Sequence, residues 1–244
     1  MSMEAIAAVF FDAGGTLFEA RRSIGTIYSD IALRYGVPID PVILDSAFQK
    51  EFTARSSKGF PRGASGPHVQ RRWWFALVRK VLSGRFPEEF IGPYFSELYE
   101  FFCGLGAWRL YPEVMECLKE LRAHGFRLGV VSNFDSRLRQ ILENLGIGGF
   151  FEQVTLSWEV GAAKPRAKIF ERALKAMRLT PRQVLHVGDS IPEDVEGASK
   201  SGITPVLLDR IGAHAQWQDS LRIHSLDELS VQVPSNSHPA CGIL

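Results

Sequence analysis

Residues 9–17 read VFFDAGGTL: an apolar run closes on one carboxylate, Asp12, with two glycines and a threonine directly behind it. The run begins at residue 5 (AIAAVFF, 5–11), the pattern of a short strand buried on both faces. Such a strand needs partners, and three similar runs follow: FRLGVV (126–131), QVLHV (183–187) and ITPVLL (203–208), with a weaker QVTLS (153–157). Helical patterns separate them. PEVMECLKELRAHG (112–125) sets Val114, Cys117, Leu118 and Leu121 on one face, with Pro112 near its start and Gly125 as its stop. DSRLRQILENLG (135–146) does the same with Leu138, Ile141, Leu142 and Leu145, with Asp135 expected as N-cap. RAKIFERALKAMRL (166–179) carries Ile169, Phe170, Ala173, Leu174 and Met177. Alternation of this kind predicts an α/β fold: a Rossmann-like core with a parallel sheet and right-handed crossovers.

Between about 19 and 105 the pattern changes. SAFQKEF, RRWWFALVRKVL and FSELYEFF are aromatic and helically spaced, and no convincing strand stands among them. The expectation is an inserted α-helical cap at 19–105, with GFPRGASGPH (59–68) as its internal loop. The core is then 1–18 plus 106–233, and the turn-forming residues 234–244 are a loose tail.

Composition removes several function classes. With 244 residues, 45% hydrophobic and 23% charged, the chain reads as globular. A net charge of +1 gives no field for nucleic acid or an acidic membrane surface, so neither is expected as partner. The N-terminus lacks the pattern of a signal peptide or membrane span. Cys103, Cys117 and Cys241 are too few and scattered for a disulfide framework or zinc knuckle, which points to a reducing, cytoplasmic setting. The last four residues, from Cys241, formally fit a prenylation box, but no polybasic stretch precedes it and coincidence is the expected reading.

Ligands of open parallel sheets lie beyond the carboxyl ends of the strands. There the sequence places Asp12, Gly14, Gly15 and Thr16 after the first strand, Ser132 and Asn133 after the second, Lys164 before a helix, and Asp189 and Asp194 after QVLHV. Three acids, one hydroxyl and one lysine would converge on one edge. The ordered pieces DAGGT, VVSN, AAKP and GDSIPED resemble the motifs of the haloacid dehalogenase (HAD) superfamily, over nearly the whole chain. The helical insert is similar to that superfamily's C1 cap. SNFD (132–135) with the Trp73–Trp74 pair resembles the branch called HAD-like hydrolase domain-containing protein 3.

The resemblance implies a hydrolase that passes through an aspartyl-phosphate on Asp12. It implies Mg²⁺ held by Asp12, Asp189 and the main-chain carbonyl of Gly14. Lys164 and the Ser132 hydroxyl would hold the phosphoryl oxygens, with the backbone N–H of Asn133 as a further donor, and Asp194 would support the lysine or the metal's water shell. The implied substrate is a small phosphorylated metabolite. Position 14 departs from the pattern, because phosphatases of the superfamily carry an Asp there as general acid and base. Glycine can do neither, which motivates a rival reading as a non-catalytic phosphate-ligand binder or interaction protein. A phosphonatase-like C–P hydrolase would need a cap lysine, Lys50 or Lys58. A dehalogenase is disfavoured by the retained Gly188-Asp189.

Elsewhere, Trp73 and Trp74 are expected to pack the cap rather than stack on substrate, Arg71 and Arg72 to face solvent, and His186 to be a satisfied core histidine. Gly14 and Gly15 are both expected to permit positive φ in the turn after Asp12.

Overall fold

The computed structural model describes residues 5–56 and 66–232. Lys58, Cys241, most of the 59–68 loop and the tail from 234 lie outside the described residues. Strand β1 (Ala8–Phe11) leads through a turn to β2 (Phe18–Ala20). Four helices follow: α1 (Ile24–Arg34), α2 (Pro41–Ser56), α3 (Pro67–Leu82) and α4 (Ile91–Phe101). Strand β3 (Trp108–Leu110) returns antiparallel to β2, pairing Phe18 with Leu110 and Ala20 with Trp108. The chain continues through α5 (Val114–Ala123), β4 (Arg127–Ser132), α6 (Arg137–Asn144), β5 (Gln153–Leu156), α7 (Ser157–Val160) and α8 (Ala167–Met177). It closes with β6 (Val184–Gly188), a π-turn at Ile191–Val195, α9 (Glu196–Lys200), β7 (Thr204–Leu208), β8 (Leu221–Ile223) and α10 (Asp227–Gln232).

The main sheet is six-stranded in the order β5-β4-β1-β6-β7-β8, and every pairing is parallel. From β1 the chain builds outward through β4 to β5, then returns to place β6 on the other side of β1. That reversal opens a crevice above the carboxyl ends of β1, β4 and β6.

All four β1 side chains are fully buried. Val9 and Phe11 enter one layer with Leu118, Leu121 and Leu142, and Ala8 and Phe10 enter the other with Ile169, Phe170 and Ala173. The two-residue period of a strand explains the split. A continuous apolar run is what burial on both faces requires, and each Val or Phe so buried contributes roughly 1.5–3 kcal/mol. A third cluster belongs to α1–α4, centred on Ile27, Tyr28, Leu77, Val81 and Tyr94. The Tyr94 hydroxyl donates to the Tyr28 carbonyl at 2.9 Å, so the Tyr94 phenol is satisfied in that cluster.

The structure corrects several sequence expectations. The 19–105 interval is not free of strand, because β2 runs across its first residues; three residues are too short to show a period. Strand β8 was not foreseen either, since LRI offers no apolar run. Ser136, not Asp135, holds the N-cap position of α6 and makes no side-chain capping bond. Asp135 instead accepts the Arg137 backbone N–H at 3.0 Å. Among the described residues, Cys103 and Cys117 are free thiols and no helix is long and apolar enough to cross a membrane.

Candidate active site

Asp12 is the first residue beyond β1, and its backbone N–H donates to Val187 of β6 at 2.9 Å, so the central strands set its position. Two main-chain bonds close the turn behind it, Phe18 N–H to the Ala13 carbonyl and Gly15 N–H to the Phe18 carbonyl. Gly15 alone has a positive φ there, +85°, and a Cβ on it would lie 2.4 Å from Asp189 Oδ2. Gly14 has no such φ and open space where a Cβ would go, so its expected conformational role is not found. Arg210, after β7, pins the turn from outside. Its guanidinium donates to the Thr16 carbonyl at 2.8 Å, pairs with Glu113 at 2.7 Å and lies 3.6 Å over the Tyr111 ring. Sequence reasoning missed Arg210, because nothing local marks a contact nearly 200 residues away.

Lys164 comes to the same place from the loop before α8 and is 3% exposed. Its Nζ donates to Asp12 Oδ1 at 2.5 Å and Asp194 Oδ1 at 2.6 Å. The Asp194 oxygens also accept from Ser190 N–H at 3.1 Å and meet His186 Nε2 at 2.8 Å. His186 is buried as expected but only half satisfied, since its Nδ1 has no partner. Gly188 is required for this arrangement: a Cβ on it would lie 2.2 Å from Asp194 Cγ.

Oxygens of Asp12, Asp189 and Asp194 lie within 4.8 Å of one another, a spacing that could hold a metal ion. Asp12 and Asp194 are buried and Asp189 is exposed. Burial raises Asp12 above the ordinary carboxylate range, against the pull of Lys164. Burial works against charged Lys164 too, but Asp12 and Asp194 outweigh it and hold the ammonium above its usual range. Burial alone would raise Asp194, yet Lys164 and His186 bring it well below. Asp189 is pushed up to about 7, first by desolvation and then by the neighbouring Asp12 and Asp194 charges. Three acids around one ammonium therefore leave negative charge unbalanced on the Asp12–Asp189 side. Among the described residues no lysine or arginine pairs with Asp189, and Asp194 is already engaged. Hard oxygen donors with excess negative charge suit Mg²⁺, so the donor set fits the expected ion.

Asp12, Gly14, Ser132, Asn133 and Lys164 share one wall of a cavity of about 440 Å³ between the sheet edge and α1–α4. Asp189 stands beside Asp12 but does not line that wall. Ser132 is 3% exposed and its Oγ accepts from Phe134 N–H at 3.3 Å. The Asn133 side chain is a brace for the lysine loop: its Oδ1 accepts Lys164 N–H at 2.7 Å, and its Nδ2 donates to Glu193 at 2.9 Å. Glu193, another cavity residue unforeseen in the sequence, lies within the GDSIPED motif.

The helical side of the cavity is tied to the core by polar contacts. Trp74 Nε1 donates to Asp135, whose carboxylate also receives the Arg137 guanidinium (Nη2 to Oδ2, 2.6 Å). Arg137 lies 4.7 Å over Trp74 and 4.5 Å over Tyr99. Gln70 Oε1 accepts from the Ser136 N–H at 3.1 Å and hydroxyl at 2.6 Å. Trp73 and Trp74 pack against the helical cluster, as expected, but also line the cavity. Arg71 does not simply face solvent; it lies 5.2 Å over Phe95 and 4.8 Å over Tyr99 and donates to Ser96. Arg72 is exposed. Lys50 lines a separate outer groove, so the only lysine on the cavity wall among the described residues is Lys164.

A family model for haloacid dehalogenase-like hydrolases matches residues 6–202. The chain belongs to that family. Haloacid dehalogenase-like hydrolase domain-containing protein 3 from Mus musculus is 33% identical over 239 residues, covering 96% of this chain and 93% of its own. Among solved structures, a HAD phosphatase from Thermococcus onnurineus superposes with a TM-score of 0.67 at 24% identity, covering 94% of this chain and 99% of its own. The defluorinating L-2-haloacid dehalogenase Rha0230 reaches a TM-score of 0.75 at 20% identity, covering 93% and 95%. Both likenesses speak to the fold that this HAD-like hydrolase shares with phosphatase and dehalogenase alike. The reaction has to be argued from the site.

Proposed function

We propose that this HAD-like hydrolase is a magnesium-dependent phosphatase of small phosphorylated molecules, with Asp12 as nucleophile. The observation that carries the reading is the Lys164-bridged acid cluster, two of whose members, Asp12 and Lys164, line a cavity walled largely by aromatic side chains. A dehalogenase has no use for the surplus carboxylate charge there. A phosphatase does: Asp12, Asp189 and the Gly14 carbonyl would hold Mg²⁺, which when bound neutralises phosphoryl oxygens and lets one anion approach another. Lys164 holds Asp12 Oδ1 in place and donates to phosphoryl oxygen together with Ser132 and Asn133. An Asp12 oxygen forms a bond to phosphorus as the bond to the leaving oxygen breaks, and the electron pair departs with that oxygen. Water then attacks phosphorus, releasing phosphate and restoring the Asp12 carboxylate. The aromatic walls would limit the water that reaches this exchange.

Assays with acetyl phosphate and p-nitrophenyl phosphate, whose leaving groups need little protonation, test the reading. Turnover that disappears on chelation is expected. Tight binding of a phosphate mimic with no turnover of either compound would replace the enzyme by the binder that Gly14 also suggests.

Two further outcomes follow from the same site. Open space at Gly14 means an aspartate fits there without displacing a neighbour. Gly14→Asp is expected to speed alkyl phosphate hydrolysis by about 10- to 1,000-fold, within the range of general acid–base help. No gain in a folded variant that still responds to magnesium would count against a missing acid.

The second outcome is a pH dependence. The folded state raises Asp189 from 3.8 to about 7, so it favours the protonated acid. That contribution is present at low pH and is lost as pH climbs through this window, part of it screened because Asp189 meets solvent. Asp194, shifted downward, acts in the opposite sense and below the window. Mg²⁺ needs the ionised carboxylate. The rise in Tm on adding MgCl₂ should therefore be larger at pH 8 than at pH 5, and an equal rise at both would refute the assignment of Asp189 as ligand.

A further inference from the structure

We propose that the substrate is an aryl phosphate, its apolar ring bonded directly to the leaving oxygen and seated against the aromatic wall of α1–α4. The inference rests on the phosphatase reading and names its substrate class. Two independent observations meet in it.

The first is the chemistry of the wall. Among the described residues, every side chain that α1–α4 bring to the cavity is apolar or aromatic. Eleven of the 23 lining residues carry an aromatic ring, so a flat group meets ring faces or edges at any tilt. Phe52 stacks on Phe48 (5.5 Å, 16°) and on Trp74 (6.0 Å, 24°), a run of near-parallel rings at that end. Few polar atoms stand among them: Trp74 Nε1 and the Arg137 guanidinium both serve Asp135, and among the described residues the only hydroxyls the helices bring are those of Tyr28 and Tyr99. A sugar or polyol would find only those two phenols on the helical wall and leave most of its hydroxyls unpaired. A second carboxylate or phosphate would meet an arginine already neutralised.

The second is Gly14, which lines the same cavity and has no proton to give. The leaving oxygen must depart as an anion. A phenol ionises near 10, as tyrosine does, roughly six units below water. An alkyl alcohol lacks that advantage. A ring on the leaving oxygen satisfies wall and missing acid together: the P–O(aryl) bond breaks, the pair leaves on a phenolate, and solvent supplies its proton.

The test takes the full chain with magnesium and compares phenyl phosphate with benzyl phosphate, acetyl phosphate and glycerol phosphate. A parallel titration follows tryptophan fluorescence with phenylphosphonate and methylphosphonate, which bind without turnover. Phenyl phosphate should exceed benzyl phosphate in kcat/KM, which reports the step that expels the leaving group, by about 100-fold or more, the scale of acid catalysis the site lacks. It should exceed acetyl phosphate in kcat/KM, and phenylphosphonate should bind at least about 10-fold tighter than methylphosphonate. Equal kcat/KM for phenyl and benzyl phosphate, or equal binding of the two phosphonates, would overturn the aryl assignment while leaving the phosphatase reading intact. No turnover of any phosphate with preferential phenylphosphonate binding would remove the phosphatase and support ring recognition.

Discussion

Replacing Asp12 by Asn is expected to cut magnesium-dependent phosphate release on the order of 10⁴-fold or more, the usual scale for loss of a nucleophile. The amide cannot form the covalent intermediate and is a poorer partner for a cation. The fold should survive. Lys164 keeps Asp194 as its second partner at 2.6 Å, and one of three crowded acids is removed. Burial raises Asp12 above its ordinary range, so its charge costs the folded state stability rather than supplying it. Measured together, kcat should collapse while Tm holds or rises in metal-free buffer. An Asp12→Asn protein with full magnesium-dependent activity would end the proposed mechanism, whatever its stability.

Lys164→Met should have the largest effect on stability. Removing one partner of a buried ion pair strands the other, at about 3–5 kcal/mol. Here two carboxylates, Asp12 and Asp194, lose their shared ammonium, while Asp189 remains nearby. For a chain of this size, about 2–4 °C per kcal/mol makes a fall in Tm of roughly 6–20 °C at pH 7.5. The fall should shrink toward pH 5, because Asp189, shifted to about 7, and the raised Asp12 can take up protons there. A Tm within about 2 °C of the parent at pH 7.5 would mean that solvent or main chain, not Lys164, balances the acids. Magnesium should recover part of the loss by taking over some of the neutralisation, which thermal shift with and without MgCl₂ measures directly.

The parts of this molecule legible in its sequence are those governed by local period. AIAAVFF reads as a buried strand because both faces of β1 are covered, and Leu138, Ile141 and Leu142 read as a helix face because α6 buries only that side. The order of strands and helices then told where Asp12, Ser132, Lys164 and Asp189 must emerge. The convergence of Asp12, Lys164 and Asp189 follows from parallel strands all ending on one edge. What stayed hidden has no period. Asp135 looked like a helix cap, yet its carboxylate joins the neighbouring Arg137 to Trp74 of α3. The Asn133 side chain, with no task legible in the sequence, braces the lysine loop. Two adjacent glycines looked alike, but only Gly15 lies against Asp189.

Sequence by itself determined the α/β class, the helical insertion, the family resemblance and the residues at the strand ends, since each depends on repeating burial or on short ordered motifs. Tertiary structure alone decided which acids share one ammonium, which side remains unbalanced, and that the cavity above Asp12 is walled by aromatic rings. Charge balance and cavity shape depend on distances between side chains far apart in the chain, and burial strengthens each of those interactions once water is excluded.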